Sequence, residues 1–183
     1  ANQLFFEILQ KFPEHPAARA ALDIASYDAL TKYLDIPLVK FLGQKIKSLP
    51  TSNTIGIKNV ADTLQEAKEY DQRGFKILKV KLGIDPEEDI ERMVKLREEF
   101  GKRMVIRIDA NQGYTSKQTI DFYNRTKHLD IELIEQPLPA KAIDEIKALP
   151  EEIRTIIAAD ESLLSPSDAL KLITPPKASG IFN

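Results

Sequence analysis

Apolar positions along the chain follow a helical rhythm at first and a strand-and-helix alternation from about residue 54 onward. Residues 1–43 read as helical, with one helix before Pro13 and another over about 16–34. In the second, Ala18, Ala21, Ala25 and Ala29 recur three or four apart, a face of small side chains that lets a neighbouring helix approach closely. Gly43 ends this stretch, and 48–53, with Pro50, reads as a polar loop.

Short apolar runs at 54–57, 76–82, 104–109, 131–135 and 155–160 then predict strands, and 180–183 reads as a strand just beginning. Between them the pattern predicts helices at 60–72, 86–100, 116–127, 142–149 and 165–173. Asp85 followed by Pro86 marks one helix start and Ser165 followed by Pro166 another. The helix over 86–100 is rich in Glu, Lys and Arg and reads as a solvated outer face.

A β-α unit repeated about five and a half times argues an α/β fold with a parallel sheet covered by helices. No GxGxxG or GxxxxGK[ST] turn occurs, which disfavours a doubly wound sheet and leaves the eight-stranded barrel as the better reading. Such barrels take about 250 residues. Residues 51–183 are therefore expected to form a truncated (β/α) barrel, a partial TIM barrel cut at its last strand, preceded by a helical segment over 1–50.

Composition narrows the chemistry. The 183 residues hold 26 Lys and Arg against 28 Asp and Glu, and no Cys, so thiolate, iron–sulfur and Cys-type zinc chemistry are all excluded. Near-neutral charge without a basic block argues against nucleic acid as a partner. No apolar run approaches the roughly 20 residues of a membrane span, and the first ten residues carry no Lys or Arg. The expectation is a soluble, cytoplasmic protein with no membrane partner.

Barrel active sites lie at the C-terminal ends of the strands. Three predicted strands end on acids, Asp109, Glu135 and Asp160, spaced 26 and 25 positions apart, one β-α unit each. Any one alone is more simply a helix cap; three in register would repel unless a cation sat among them, and Mg²⁺ suits an all-oxygen donor set. The preceding strand holds Lys79 and Lys81, which a two-residue period places on one face. Aimed at the acids, they would repel one another beside a metal, which is expected to lower a lysine pKa so that it can take a proton. His15, between two prolines, and His128, at a helix end, read as structural.

Lys79-Val80-Lys81, Asp109-Ala110-Asn111, Glu135-Gln136-Pro137 and Asp160-Glu161-Ser162, in this order and spacing, resemble the enolase superfamily, specifically its muconate-lactonizing-enzyme subgroup. The phrases Thr54-Ile55-Gly56-Ile57, Gly74-Phe75 and Arg107 to Gly113 look most like dipeptide epimerases of the L-Ala-D/L-Glu type. Residues 17–43 are similar to the stretch joining a capping domain to the barrel. The resemblance implies that Asp109, Glu135 and Asp160 bind Mg²⁺, with Mn²⁺ as a substitute, and that Lys81 is an acid/base catalyst assisted by Lys79. It further implies that Thr54 contacts substrate and Asn111 supports the metal shell.

The implied activity is epimerisation of a dipeptide by proton abstraction next to a carboxylate, through an enediolate. A second lysine is expected beyond Asn183, so that the 183 residues alone do not turn over. Three readings stay open beside it: o-succinylbenzoate synthase or N-succinylamino-acid racemase, a cycloisomerase on the same scaffold, and a catalytically silent barrel fragment. The partner is a small-molecule substrate, and homo-oligomerisation is left open.

Overall fold

A computed structural model describes residues 2–182. The chain divides into two compact units after Leu49. The first holds α1 (Asn2–Lys11), α2 (Pro16–Tyr33) and the single turn α3 (Leu38–Phe41). Pro16 opens α2 in the first turn, where its missing N–H costs nothing. The rings of Tyr27 and Phe41 meet edge-on with centroids 6.2 Å apart, which fixes α3 against α2. The Ala18–Ala29 face, expected to seat a neighbouring helix, is exposed in this unit; the buried residue of α2 is Thr31.

The second unit alternates strand and helix: β1 (Ser52–Ile55), α4 (Val60–Gln72), β2 (Ile77–Lys81), α5 (Pro86–Phe100), β3 (Val105–Asp109), α6 (Ser116–Thr126) and β4 (Ile131–Glu135). It continues with α7 (Ile143–Ala148), α8 (Glu151–Arg154), β5 (Ile157–Ala159), α9 (Pro166–Ile173) and β6 (Ile181–Phe182). All strands pair in parallel in the order β1 to β6. Asn183, placed in the last strand by the pattern, lies outside the described residues.

Register explains the core. Ile55, Val80, Ile108, Ile134 and Ile157 are mutual partners across five strands and are all buried, so they form one continuous row. Against the first four pack Ala67 of α4, Met93, Leu96 and Phe100 of α5, and Phe122 of α6. The helices are seated by side-chain caps at Asn59, Asp85 and Ser165 and by a reciprocal Thr115–Gln118 box, each worth about 1 kcal/mol.

Three local readings change. β1 lies two residues earlier than its apolar run, because Ser52 to Ile55 pair one for one with Ile77 to Val80, and backbone pairing outranks side-chain preference there. The turn α8, which the apolar pattern does not predict, follows Pro150 with Glu151 and Glu152 in its first turn and Arg154 in its last. Helix α5 is not simply a solvated face: Asp89 and Arg92 are buried beside Ile90, Met93 and Leu96. Among the described residues no helix is long and apolar enough to cross a membrane.

Candidate active site

On β2, Lys79 and Lys81 alternate with buried Leu78 and Val80, so both ammonium groups leave the sheet on the face away from the helices. Lys81 is the register partner of Asp109, and Asp109 of Glu135, which lines these three residues across the C-terminal ends of β2, β3 and β4. Lys79 stands one step back, flanked in register by Thr54 on β1 and Arg107 on β3.

The four side chains close on one another. Lys81 Nζ lies 2.7 Å from Asp109 Oδ2, and Lys79 Nζ lies 3.0 Å from the same oxygen and 2.6 Å from Glu135 Oε2. Asp109 also accepts the Asn111 N–H at Oδ1, 2.9 Å away. The Asp109 side chain is 1% exposed and Glu135's 6%, whereas Lys79 and Lys81 keep 21% and 30% of theirs in solvent. Two buried carboxylates are thus compensated by cations that still reach water, which a buried carboxylate requires.

Electrostatics follow from this arrangement. Burial would raise the Asp109 carboxyl, but the hydrogen bonds from Lys81, Lys79 and the Asn111 N–H outweigh it and hold it below its usual value. Burial raises Glu135, and repulsion from Asp109 and Asp160 adds to the rise against the opposing pull of Lys79. At Lys79 burial pulls the pKa down, yet Glu135 and Asp109 together push it above its ordinary value. Carboxylates at hydrogen-bond distance outweigh repulsion between the two ammonium groups.

Asp160 is the first residue after β5. Its charge is felt at Glu135, but it makes no ion pair with the lysines, and among the described residues no three acidic or imidazole groups are gathered tightly enough to hold a metal as they stand. Thr54 shares the lysines' face and is exposed. Asn111 acts through its backbone N–H, with its side chain exposed. His15, in the helical unit, and His128, in the turn before β4, are both exposed.

Two glutamines that sequence reasoning did not single out lace the rim together. Gln136 is 1% exposed; its Oε1 accepts the N–H groups of Asp160 and Ser162, each at 3.1 Å, and its Nε2 donates to Ser162 Oγ and the Leu138 carbonyl. Gln112 Oε1 accepts the Ala140 N–H at 2.9 Å. Only a carboxamide offers both donors and acceptors in this way, so a Gln within three residues of a strand-end acid was the available signal.

A hollow of about 130 Å³ lies on the lysines' face, bordered by Lys79, Arg107, Leu133, Glu135 and Ala158. A larger one of about 660 Å³ lies by α7 and α9, where Lys171 and Asp168 already pair with each other at 3.0 Å. The strand ends hold the concentrated buried charge, so the site is placed there.

The residues fit a hard divalent cation. The donors are carboxylate oxygens on successive strand ends, and Asp109 and Glu135 already converge on one positive atom, Lys79 Nζ. Asp160 stands on the next strand end with its backbone N–H held by Gln136, and its carboxylate is not gathered with the other two as the chain stands.

A consecutive six-stranded parallel β/α sheet with lysines and carboxylates toward its C-terminal rim has the layout of a partial (β/α) barrel, a fold whose active sites lie at that rim. Residues 62–180 match the model of the enolase C-terminal domain-like family, and the chain belongs to that family. The L-Lys-D/L-Arg epimerase of Methylococcus capsulatus is 50% identical over 177 residues, covering 97% of this chain and 50% of its own length. An L-Ala-D/L-Glu epimerase of Clostridium acetobutylicum is 36% identical over 159 residues, covering 86% of this chain and 44% of its own. The crystal structure of a Methylococcus capsulatus dipeptide epimerase complexed with Mg and L-Arg-D-Lys superposes with a TM-score of 0.94 at 49% identity, covering 100% of this chain and 51% of that one. The chain spans about half the length of these relatives.

Proposed function

We propose that the protein carrying this chain is a Mg²⁺-dependent dipeptide epimerase and that the chain supplies its metal-binding rim and one of two acid/base groups. The observation that carries this reading is the meeting of Lys81 with Asp109 at 2.7 Å, in register with Glu135, on the strand-end rim of this family's fold. Asp109, Glu135 and Asp160 would hold the ion, which when bound would offset the negative charge that grows on a substrate carboxylate as its α-proton leaves. Mn²⁺ has the same preference for oxygen donors and serves as a substitute.

Lys81, at the end of β2 and partly open to solvent, takes the α-proton and returns one to the same face. Lys79, held between Asp109 and Glu135, keeps positive charge beside it. Thr54, on the same face one strand over, is within the row that meets substrate. Asn111 holds Asp109 in place through its N–H. Inversion needs a second acid/base on the opposite side of the carbon. We place that group outside these 183 residues, so that the chain by itself leaves configuration unchanged.

On side chains, the sequence motifs resemble the L-Ala-D/L-Glu type. Identity favours a second reading, a cationic dipeptide, because the relative named for Lys and Arg shares 50% of aligned residues against 36% for the one named for Ala and Glu. The test uses the whole protein in deuterated water with Mg²⁺, offering Ala–Glu, Lys–Arg and apolar dipeptides and following deuterium and inversion at the α-carbon of the C-terminal residue. Metal-dependent exchange with inversion is the expected result, fastest for the true substrate. No exchange with any dipeptide would move the assignment to a succinylbenzoate synthase, succinylamino-acid racemase or cycloisomerase on the same rim.

A further inference from the structure

The strand ends that carry Lys81 and Asp109 are tied together by a buried carboxylate that the proposed chemistry does not use. Asp89 and Arg92, one turn apart on α5, are 0% and 1% exposed. Asp89 Oδ2 accepts the Gly83 N–H at 2.9 Å and the Tyr114 hydroxyl at 2.6 Å, while its Oδ1 accepts Arg92 Nη2 at 2.5 Å. Arg92 Nη1 reaches on to the carbonyl of Lys81 at 3.4 Å. Between those two contacts the Leu82 N–H donates to the Asp109 carbonyl at 2.8 Å.

The Lys81 carbonyl and the Gly83 N–H are therefore held by α5, and the Leu82 N–H by β3. The loop after Asp109 is held by the same carboxylate through Tyr114, whose hydroxyl is kept a donor because burial and then Asp89 push its pKa upward. The two loops also touch backbone to backbone: a Cβ on Gly83, at φ +105°, would lie 2.1 Å from the Ala110 carbonyl oxygen, and one on Gly113 the same distance from that of Gly83. A shift of Gly83 is passed directly to 110–113.

A buried ion pair is a weak source of stability, because desolvation of both charges offsets their attraction, and apolar side chains would fill the same space. What it does supply is fixed direction at several hydrogen-bonded points. Resting on the reading of Lys81 as an epimerase acid/base, we propose that Asp89, with Arg92 and Tyr114, is a positioning device that sets where Lys81 stands relative to Asp109 and the substrate.

The test compares the whole wild-type protein with Tyr114→Phe and with the double variant Asp89→Asn/Arg92→Gln, which removes both buried charges at once and so leaves neither unpaired. Solvent exchange at the α-carbon is measured from each epimer separately. A misplaced Lys81 slows exchange of the one epimer whose hydrogen faces it, by about 10- to 100-fold, while the other epimer, served by the opposing group, keeps its rate and KM is unchanged. Equal slowing of both epimers, or of neither, overturns the proposal.

Amide hydrogen exchange, read in the same variants, does not depend on the reaction. The expected result is faster exchange confined to residues 81–83 and 110–114; a uniform increase, or none, overturns the positioning role. If wild type exchanges neither epimer, the epimerase reading fails while the amide measurement still decides whether the clamp holds the strand ends.

Discussion

Lys81→Ala is expected to abolish inversion in both directions and to stop solvent exchange from one epimer only. Inversion requires removal of a proton on one face of the carbon and delivery on the other, so loss of either group blocks both directions. Exchange without inversion uses a single group, so the epimer whose hydrogen faces the opposing base keeps exchanging. The affected rates should fall about 100- to 10,000-fold, the usual contribution of a positioned acid/base. The fold should tolerate the change, because Asp109 retains Lys79 at 3.0 Å and the Asn111 N–H at 2.9 Å, and the Lys81 side chain is 30% exposed. Circular dichroism and a melting midpoint close to wild type would confirm that. Equal loss of exchange from both epimers would assign Lys81 to charge stabilisation instead of proton transfer.

The parts of this site that were legible in sequence are those fixed by a short period. Alternation on β2 placed Lys79 and Lys81 together because side chains two apart on a strand share a face. The spacing of Asp109 and Glu135 located two strand ends because each β-α unit has nearly constant length, and the register bears this out. Helix starts at Asp85 and Ser165 were readable because capping is a local hydrogen bond.

What escaped depends on contacts between residues distant in sequence. Asp89 and Arg92 look like ordinary surface charges on a helix, and only the arrival of Gly83, Tyr114 and the Lys81 carbonyl around them turns that position inward. Their spacing did hold a hint, since Asp89, Met93, Leu96 and Phe100 follow the buried stripe of α5. Gln136 reaches across to a loop 24 residues later, which no local pattern announces. The rise at Lys79 has a related origin: repulsion between neighbouring lysines is visible in sequence, whereas two carboxylates at hydrogen-bond distance are visible only in the fold.

The second large effect is expected at Asp109. A divalent ion that binds only the folded protein raises its stability by RT ln(1 + [L]/Kd), about 2.7 kcal/mol at a hundredfold excess over Kd. Wild type should therefore melt at a higher temperature in Mg²⁺ than in chelator, and Asp109→Asn should lose nearly all of that difference. The substitution replaces an anionic donor with a neutral one and leaves a single oxygen where one carboxylate oxygen meets Lys79 and Lys81 and the other the Asn111 N–H. Turnover should fall about a thousandfold or more, since metal stabilisation of developing charge is worth several kcal/mol and each 1.4 kcal/mol is tenfold in rate. Differential scanning calorimetry with and without Mg²⁺, beside the exchange assay, checks both halves. A Mg²⁺-dependent rise that survives Asp109→Asn would place the ion elsewhere, and no rise in wild type would favour a silent barrel whose strand-end acids serve only to pair with Lys79 and Lys81. The two proteins should also differ in chelator alone. There Asp109 is the buried charge that the lysines compensate, so its removal relieves a desolvation cost while freeing Lys81 to solvent, and the metal-free stabilities should lie far closer together than those in Mg²⁺.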